Sequence, residues 1–177
     1  NTHFTAPKDK VPLVATHTGV MFRLGEDIDA MVVDIDVDLK GREIKEIFDL
    51  PSTCWAETTQ GGGCHLYFKK DAEIVNLMGG SNKLGCSLWG MKVDLLINGQ
   101  VFMGGSSFQW EGSTRRYTWH KELNFQNSTV LPPIPQKMKD AIVEYMTLGS
   151  KHPELQELLG KLDSDSITPR EGESISN

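Results

Sequence analysis

Long apolar runs are missing from this 177-residue sequence. Nowhere does it approach the ~20 consecutive apolar residues that a membrane span needs, and no apolar segment opens it as a secretory leader would. Cysteine is scarce: Cys54, Cys64 and Cys86 stand at irregular spacing. That excludes a disulfide framework and points to a reducing, intracellular compartment. Together with His65 the thiols offer zinc-type donors, but no C-x-x-C pair stands among them, so no zinc site is expected. Clusters of basic residues and internal repeats are lacking as well. With a net charge of −6, the chain cannot hold DNA by bulk positive charge alone. The charge is uneven, however: residues 153–177 carry six acids and two bases, −4 of the total, which leaves −2 on the body. A polynucleotide partner therefore stays compatible.

What is present is a 38% hydrophobic composition, enough to bury a core as one domain or as two small modules sharing a cleft. The chain opens on Asn1, not Met, and reads as a segment of a longer protein. Period-two alternation predicts strands at 18–24 and 30–38, joined as a hairpin through Gly25-Glu26-Asp27. A short helix is expected over 41–49, stopped before Pro51. A second hairpin joins 53–60 to 64–70 through Gly61-Gly62-Gly63. A helix at 72–78 would end at Gly79-Gly80. A strand at 87–97 turns at Asn98-Gly99 and pairs back with 100–103; a last strand spans 115–120. Beyond Pro132-Pro133, helices are expected at 135–148 and 153–162, with Pro135 and Pro153 in their first turns. The polar remainder, 163–177, is expected to be disordered. This divides the chain into a body at 1–134, a helical extension at 135–162 and an acidic tail.

Four segments carry chemistry. In Val32-Val33-Asp34-Ile35-Asp36-Val37-Asp38, alternation sends Val33, Ile35 and Val37 to one face and the three aspartates to the other. A solvated acidic face is one reading. The apolar flank Met31-Val32-Val33 implies a buried strand, where such acids need a cation. Asp94, the one acid between Glu73 and Glu111, lies in Met91-Lys92-Val93-Asp94-Leu95-Leu96-Ile97. It needs either a basic partner, with Lys92 on the same face, or a metal. Two acids on one strand and a third on another form a layout that can hold two Mg²⁺ ions. Gly61-Gly62-Gly63-Cys64-His65 lets backbone amides approach phosphate, with His65, Tyr67 and Lys69 on one face of the next strand. A plain hairpin with a satisfied imidazole is the alternative. Last, Gly104-Gly105-Ser106-Ser107 can bind phosphate through amides and hydroxyls, or is simply a loop.

The order of these elements resembles the primase–polymerase (Prim-Pol) domains of the archaeo-eukaryotic primase superfamily, often fused to superfamily 3 helicases in large DNA viruses, phages and plasmids. The resemblance runs from about Lys10 to Pro135. It includes Lys10-Val11-Pro12, Thr18-Gly19, Thr58 and Tyr117-Thr118-Trp119; a Gly-Gly-Ser corner stands where relatives often have Pro-Pro-Ser. It implies an α+β archaeo-eukaryotic primase fold: an RRM-like antiparallel sheet and a smaller α/β unit, with the active site in the cleft between them and C-terminal helices following. It implies Asp34, Asp36 and Asp94 as catalytic, metal-binding carboxylates for two Mg²⁺ or Mn²⁺ ions. His65, Gly63, Ser106 and Lys10 would bind the nucleotide.

The activity so implied is template-directed nucleotidyl transfer, as DNA primase or polymerase, in viral or plasmid replication. The partners are a single-stranded DNA template, an NTP or dNTP, and a helicase domain in the full-length protein. A two-metal nuclease and a non-catalytic RRM-like nucleic-acid-binding module are the rival readings. Tyr117 and Trp119 are expected to pack in the core, and Asp38 to fall outside the site.

Overall fold

The computed structural model describes residues 19–148 and the pair Thr168–Pro169. Lys10, the helix expected at 153–162 and the rest of the acidic tail lie outside the described residues.

The architecture is α+β and its sheets are antiparallel. Six strands form the main sheet in the order β11-β4-β5-β2-β7-β6. These are β2 (Met31–Ile35), β4 (Trp55–Thr58), β5 (Cys64–Phe68), β6 (Lys83–Leu88), β7 (Met91–Leu96) and β11 (Thr118–Trp119). The central strands are buried on both faces: every residue of β2 and β5 is buried. One face, carrying Met31, Val33, Ile35, Leu66, Phe68, Val93 and Leu95, meets α1 (Ile44–Phe48), α2 (Ala72–Leu77) and α3 (Gln136–Leu148) in the larger core.

α2 and α3 run close to their expected bounds, while α1 is shorter than the helix expected at 41–49. Asp71 caps α2 by accepting from the Ile74 amide at 3.1 Å, and Gly79 and Gly80 follow it with positive φ, the left-handed exit that glycine supplies at least cost. Asp49 ends α1 in the left-handed region. The Lys139 amide of α3 donates to the Pro135 carbonyl, placing that proline in the first turn.

The opposite face begins as a second core, where Val32, Tyr67 and Leu96 meet Leu24, Val101 and Leu131. Leu24 and Val101 come from a separate two-stranded ribbon, β1 (Met21–Leu24) paired with β8 (Gly99–Phe102). Two expected hairpins are corrected here. β1 does not pair with β2, nor β8 with β7. Both edges of β2 are taken, by β5 and β7, and both edges of β7, by β2 and β6. With no free edge beside either partner, the turns at 25–27 and 98–99 carry the chain into another layer, where β1 and β8 satisfy each other. The strand expected at 87–97 is also two strands. Trp89 and Gly90, both with positive φ, make a tight turn between β6 and β7 of the kind that two-residue hairpins require.

The expected hairpin through the triple glycine is present, with Trp55↔Tyr67, Glu57↔His65 and Thr58↔Cys64 in register. The strand expected at 115–120 is broken at Tyr117, whose amide donates to the Ser106 carbonyl. On its near side β10 (Ser113–Arg116) pairs with β9 (Ser107–Trp110). On its far side β11 joins the main sheet. The short β3 (Val37–Asp38) pairs with β12 (Thr168–Pro169).

Candidate active site

Strand register assembles the site. Asp34 stands opposite His65 on β5 and opposite Asp94 on β7, while His65 stands opposite Glu57 on β4. Glu57, His65, Asp34 and Asp94 therefore form one row across four adjacent strands, all on the face away from the helices. All four are buried, Glu57 completely. One step along, the Asp36 amide donates to the Lys92 carbonyl, and the Lys92 ammonium lies 2.5 Å from an Asp36 carboxylate oxygen. The period-two pattern of the acidic strand is thus realised. Asp38 departs from it: its carboxylate accepts from the Lys40 amide at 2.8 Å and sits against Gly62.

Burying four carboxylates on one face is costly unless each finds donors. Glu57 accepts from the Tyr67 hydroxyl at 2.5 Å and from the Gly104 amide, and its Oε1 lies 2.7 Å from His65 Nδ1. Across the ring, His65 Nε2 is 3.5 Å from Asp34 Oδ1, an ion-pair distance beyond a good hydrogen bond. Burial alone would lower the His65 pKa, but the Asp34 and Glu57 carboxylates on either side reverse this and raise it to about 10. The imidazole is therefore a cation at neutral pH. Asp94 accepts from the Gly85 amide at 2.6 Å. Its pKa is nonetheless raised, first by burial and then by the charges of Asp34 and Asp36. Burial is the larger cause, and the like charges on the neighbouring strand add to it. Lys92 is held above its usual range chiefly by its bond to Asp36.

The glycine-rich segments pack closely around this row. Gly62 has φ +89°, and a Cβ there would lie 2.3 Å from an Asp38 carboxylate oxygen. Gly63 is buried, and its carbonyl accepts from the Thr59 amide at 2.9 Å. At the other corner Gly104 lies under Trp119, whose ring carbons a Cβ would meet at 2.3 Å. The Ser106 hydroxyl accepts from the Val20 amide at 2.9 Å and donates to the Val20 carbonyl at 3.0 Å. That ties the corner to the entry of β1. Tyr117 bridges the two parts, its ring tilted 31° to that of His65 with centroids 5.8 Å apart. Trp119 packs on Tyr67, Trp55 and Phe125. Both rings are half-buried, and Trp119 packs against the second core. Lys69 falls beyond β5 and is exposed.

Glu57 and Gly85 escape the sequence reading, and Lys92 takes a different partner from the one it offered. Glu57 was findable: folding 53–60 onto 64–70 about the glycines sets it beside His65. Lys92, a candidate partner for Asp94 by its face, bonds Asp36 instead. Gly85 carries no local signal, because it reaches Asp94 only through the irregular register of β6 against β7 between Lys83 and Cys86, a bulge that turns its amide inward.

The family model described as "Bifunctional DNA primase/polymerase, N-terminal" matches residues 6–137, about three quarters of the chain. The chain belongs to that family. Membership implies a nucleotidyltransferase, in line with the order of its motifs. No curated protein and no solved structure matches it. No helix of the described residues is long and apolar enough to cross a membrane.

Among the described residues no three His, Cys, Asp or Glu side chains converge as a ready-made metal cage. The donor chemistry still suits a hard divalent cation. Asp34 and Asp94 face each other, and among the described residues no basic side chain is bonded to Asp94. Oxygen donors of this kind match Mg²⁺ or Mn²⁺.

Proposed function

We propose that this domain performs template-directed nucleotidyl transfer on single-stranded DNA by a two-metal mechanism. The 3′-hydroxyl of a primer or initiating nucleotide attacks the α-phosphate of an NTP or dNTP, forming a phosphodiester bond and releasing pyrophosphate. Asp34, Asp36 and Asp94 would hold two Mg²⁺ or Mn²⁺ ions. Bound there, such ions activate the attacking hydroxyl and offset charge on the leaving phosphates.

The observation that carries this reading is the juxtaposition of the Asp34–Asp94 pair with a cationic His65 in one buried row. Carboxylates hold cations, and an imidazolium beside them receives the triphosphate's anionic oxygens. His65 Nε2 lies 3.5 Å from Asp34 Oδ1, longer than a good hydrogen bond, so its N–H would serve an anionic oxygen placed beside that carboxylate. Gly63, Ser106 and Lys10 would complete the nucleotide site, as the order of the family's motifs implies. In this reading the sheet is the RRM-like half of a primase fold, with the cleft on its polar face. The natural setting is viral or plasmid replication, with a helicase in the full-length protein.

The test is incorporation of labelled nucleotides on a primed single-stranded template with Mn²⁺. Asp34→Ala and Asp94→Ala should each abolish extension while leaving the circular dichroism spectrum intact. Extension retained in either variant would sink the reading, and degradation of the template in place of extension would assign a nuclease.

A further inference from the structure

Glu57 lies outside the set of residues to which the reading above gives a role, yet it is the most completely buried ionisable side chain of the polar row. Three donors converge on it from two layers of the protein. His65 and Tyr67, two residues apart on β5, reach the same oxygen, Oε1. The Gly104 amide, arriving from the corner after β8, reaches Oε2. One end of the carboxylate thus holds the imidazole, and the other holds the Gly-Gly-Ser corner. Glu57 is fully buried behind these donors, so it acts through its partners.

We propose that Glu57 is a positioning residue for nucleotide binding, clamping the His65 ring and the Gly104 corner in one fixed relation so that imidazole and backbone meet the triphosphate together. This rests on the nucleotide-site reading of His65. A carboxylate suits the task because it accepts at both ends. An amide in its place accepts at one end and donates at the other. Turned one way it sets a donor against the Gly104 N–H; turned the other, it is satisfied at His65 Nδ1 only by an imidazole that has given up that proton. The anchoring is local in consequence: the corner keeps its further ties through Tyr117 and Val20, so breaking the clamp shifts the imidazole against the corner without dissolving either.

The experiment is a double-mutant cycle of Glu57→Gln and His65→Gln, read as KM for the nucleotide and kcat in primed extension. Glu57→Gln alone should raise KM about tenfold, the loss expected of one charge-assisted hydrogen bond, with kcat within about threefold. In the His65→Gln background the same change should have little further effect on KM, because the residue acts through the imidazole. Additive effects, or a loss confined to kcat and to the folded fraction, overturn the proposal.

Tyr67→Phe, which removes one donor from the same oxygen and keeps the ring, serves if Glu57→Gln does not fold. It should raise KM a few fold in the parent and not in His65→Gln. Amide hydrogen exchange at Gly104 adds a readout independent of activity. Protection in the parent and its loss in Glu57→Gln support the clamp, and equal protection in both overturns it. A parent that shows this protection but extends no primer would fail the nucleotidyl-transfer reading alone.

Discussion

The Lys92 ammonium stands 2.5 Å from an Asp36 carboxylate oxygen, across the same pair of strands that sets Asp34 against Asp94. A side chain of this chain thus supplies one cation to the acidic row. If Asp36 is a metal ligand, that ammonium competes with the ion. Lys92→Met should tighten Mn²⁺ binding severalfold in the absence of nucleotide, as read by electron paramagnetic resonance titration. An unchanged Mn²⁺ affinity would remove Asp36 from the ligand set.

Asp94 sets function against stability. Burial and the neighbouring Asp34 and Asp36 charges all penalise its ionised form. Asp94→Asn keeps the acceptor for the Gly85 amide and removes the charge. The variant should be inactive yet more stable at pH 7 by roughly 1 kcal/mol, a rise of about 2–4 °C in Tm for a chain of this size. Millimolar Mg²⁺ should raise the Tm of the parent and leave that of the variant unchanged. A lower Tm for Asp94→Asn contradicts the electrostatic account.

His65 makes stability fall with alkalinity. Its folded-state pKa of about 10 lies above the usual 6.5, so the folded chain holds the proton more tightly than the unfolded one. The stabilisation is fully present below about pH 6.5 and is lost as pH rises through about 10. The groups facing the ring are the Asp34 and Glu57 carboxylates and the Tyr67 and Tyr117 rings. Urea midpoints should decline between about pH 7 and 9.5, below the range where lysines titrate. In His65→Gln the decline should be markedly shallower. Equal slopes would contradict the charge assigned to the ring.

Gly104 is constrained by its neighbour, the indole of Trp119, which occupies the space a Cβ would need. Gly104→Ala should destabilise by about 1–3 kcal/mol, the range seen for overpacking, and Trp119→Leu in the same chain should recover part of that loss. Thermal denaturation of the two single variants and the double variant checks this. Additive losses would show that the crowding lies elsewhere.

Legibility followed the range of each interaction. The alternation in β2 is a property of neighbouring residues, and it announced which face Asp34 and Asp36 would take. The triple glycine likewise announced the β4–β5 hairpin, and with it a partner for His65 that only the register count reveals. What stayed hidden was set by strands far apart in sequence. The turn residues at 25–27 and 98–99 mark chain reversals correctly. They do not say which strand lies beyond the reversal, because that depends on which edges of β2 and β7 are already occupied. Gly85 is hidden for the same reason, since only a bulge between two paired strands aims its amide at Asp94. Ser106 reads from sequence as a loop hydroxyl free for phosphate; the fold gives that hydroxyl to Val20.

The acidic row has a kinetic consequence through the strands that bear it. β5, β2 and β7 each have a neighbour on both sides, so opening any one of them breaks two ladders at once. Backbone amides of such strands exchange with solvent mainly when the whole domain unfolds. The charged side chains are therefore mounted on the slowest-opening part of the molecule, and little rearrangement of the sheet can accompany turnover. Adjustment to an incoming substrate falls instead to side-chain rotation and to the ribbon and corner that cover the row.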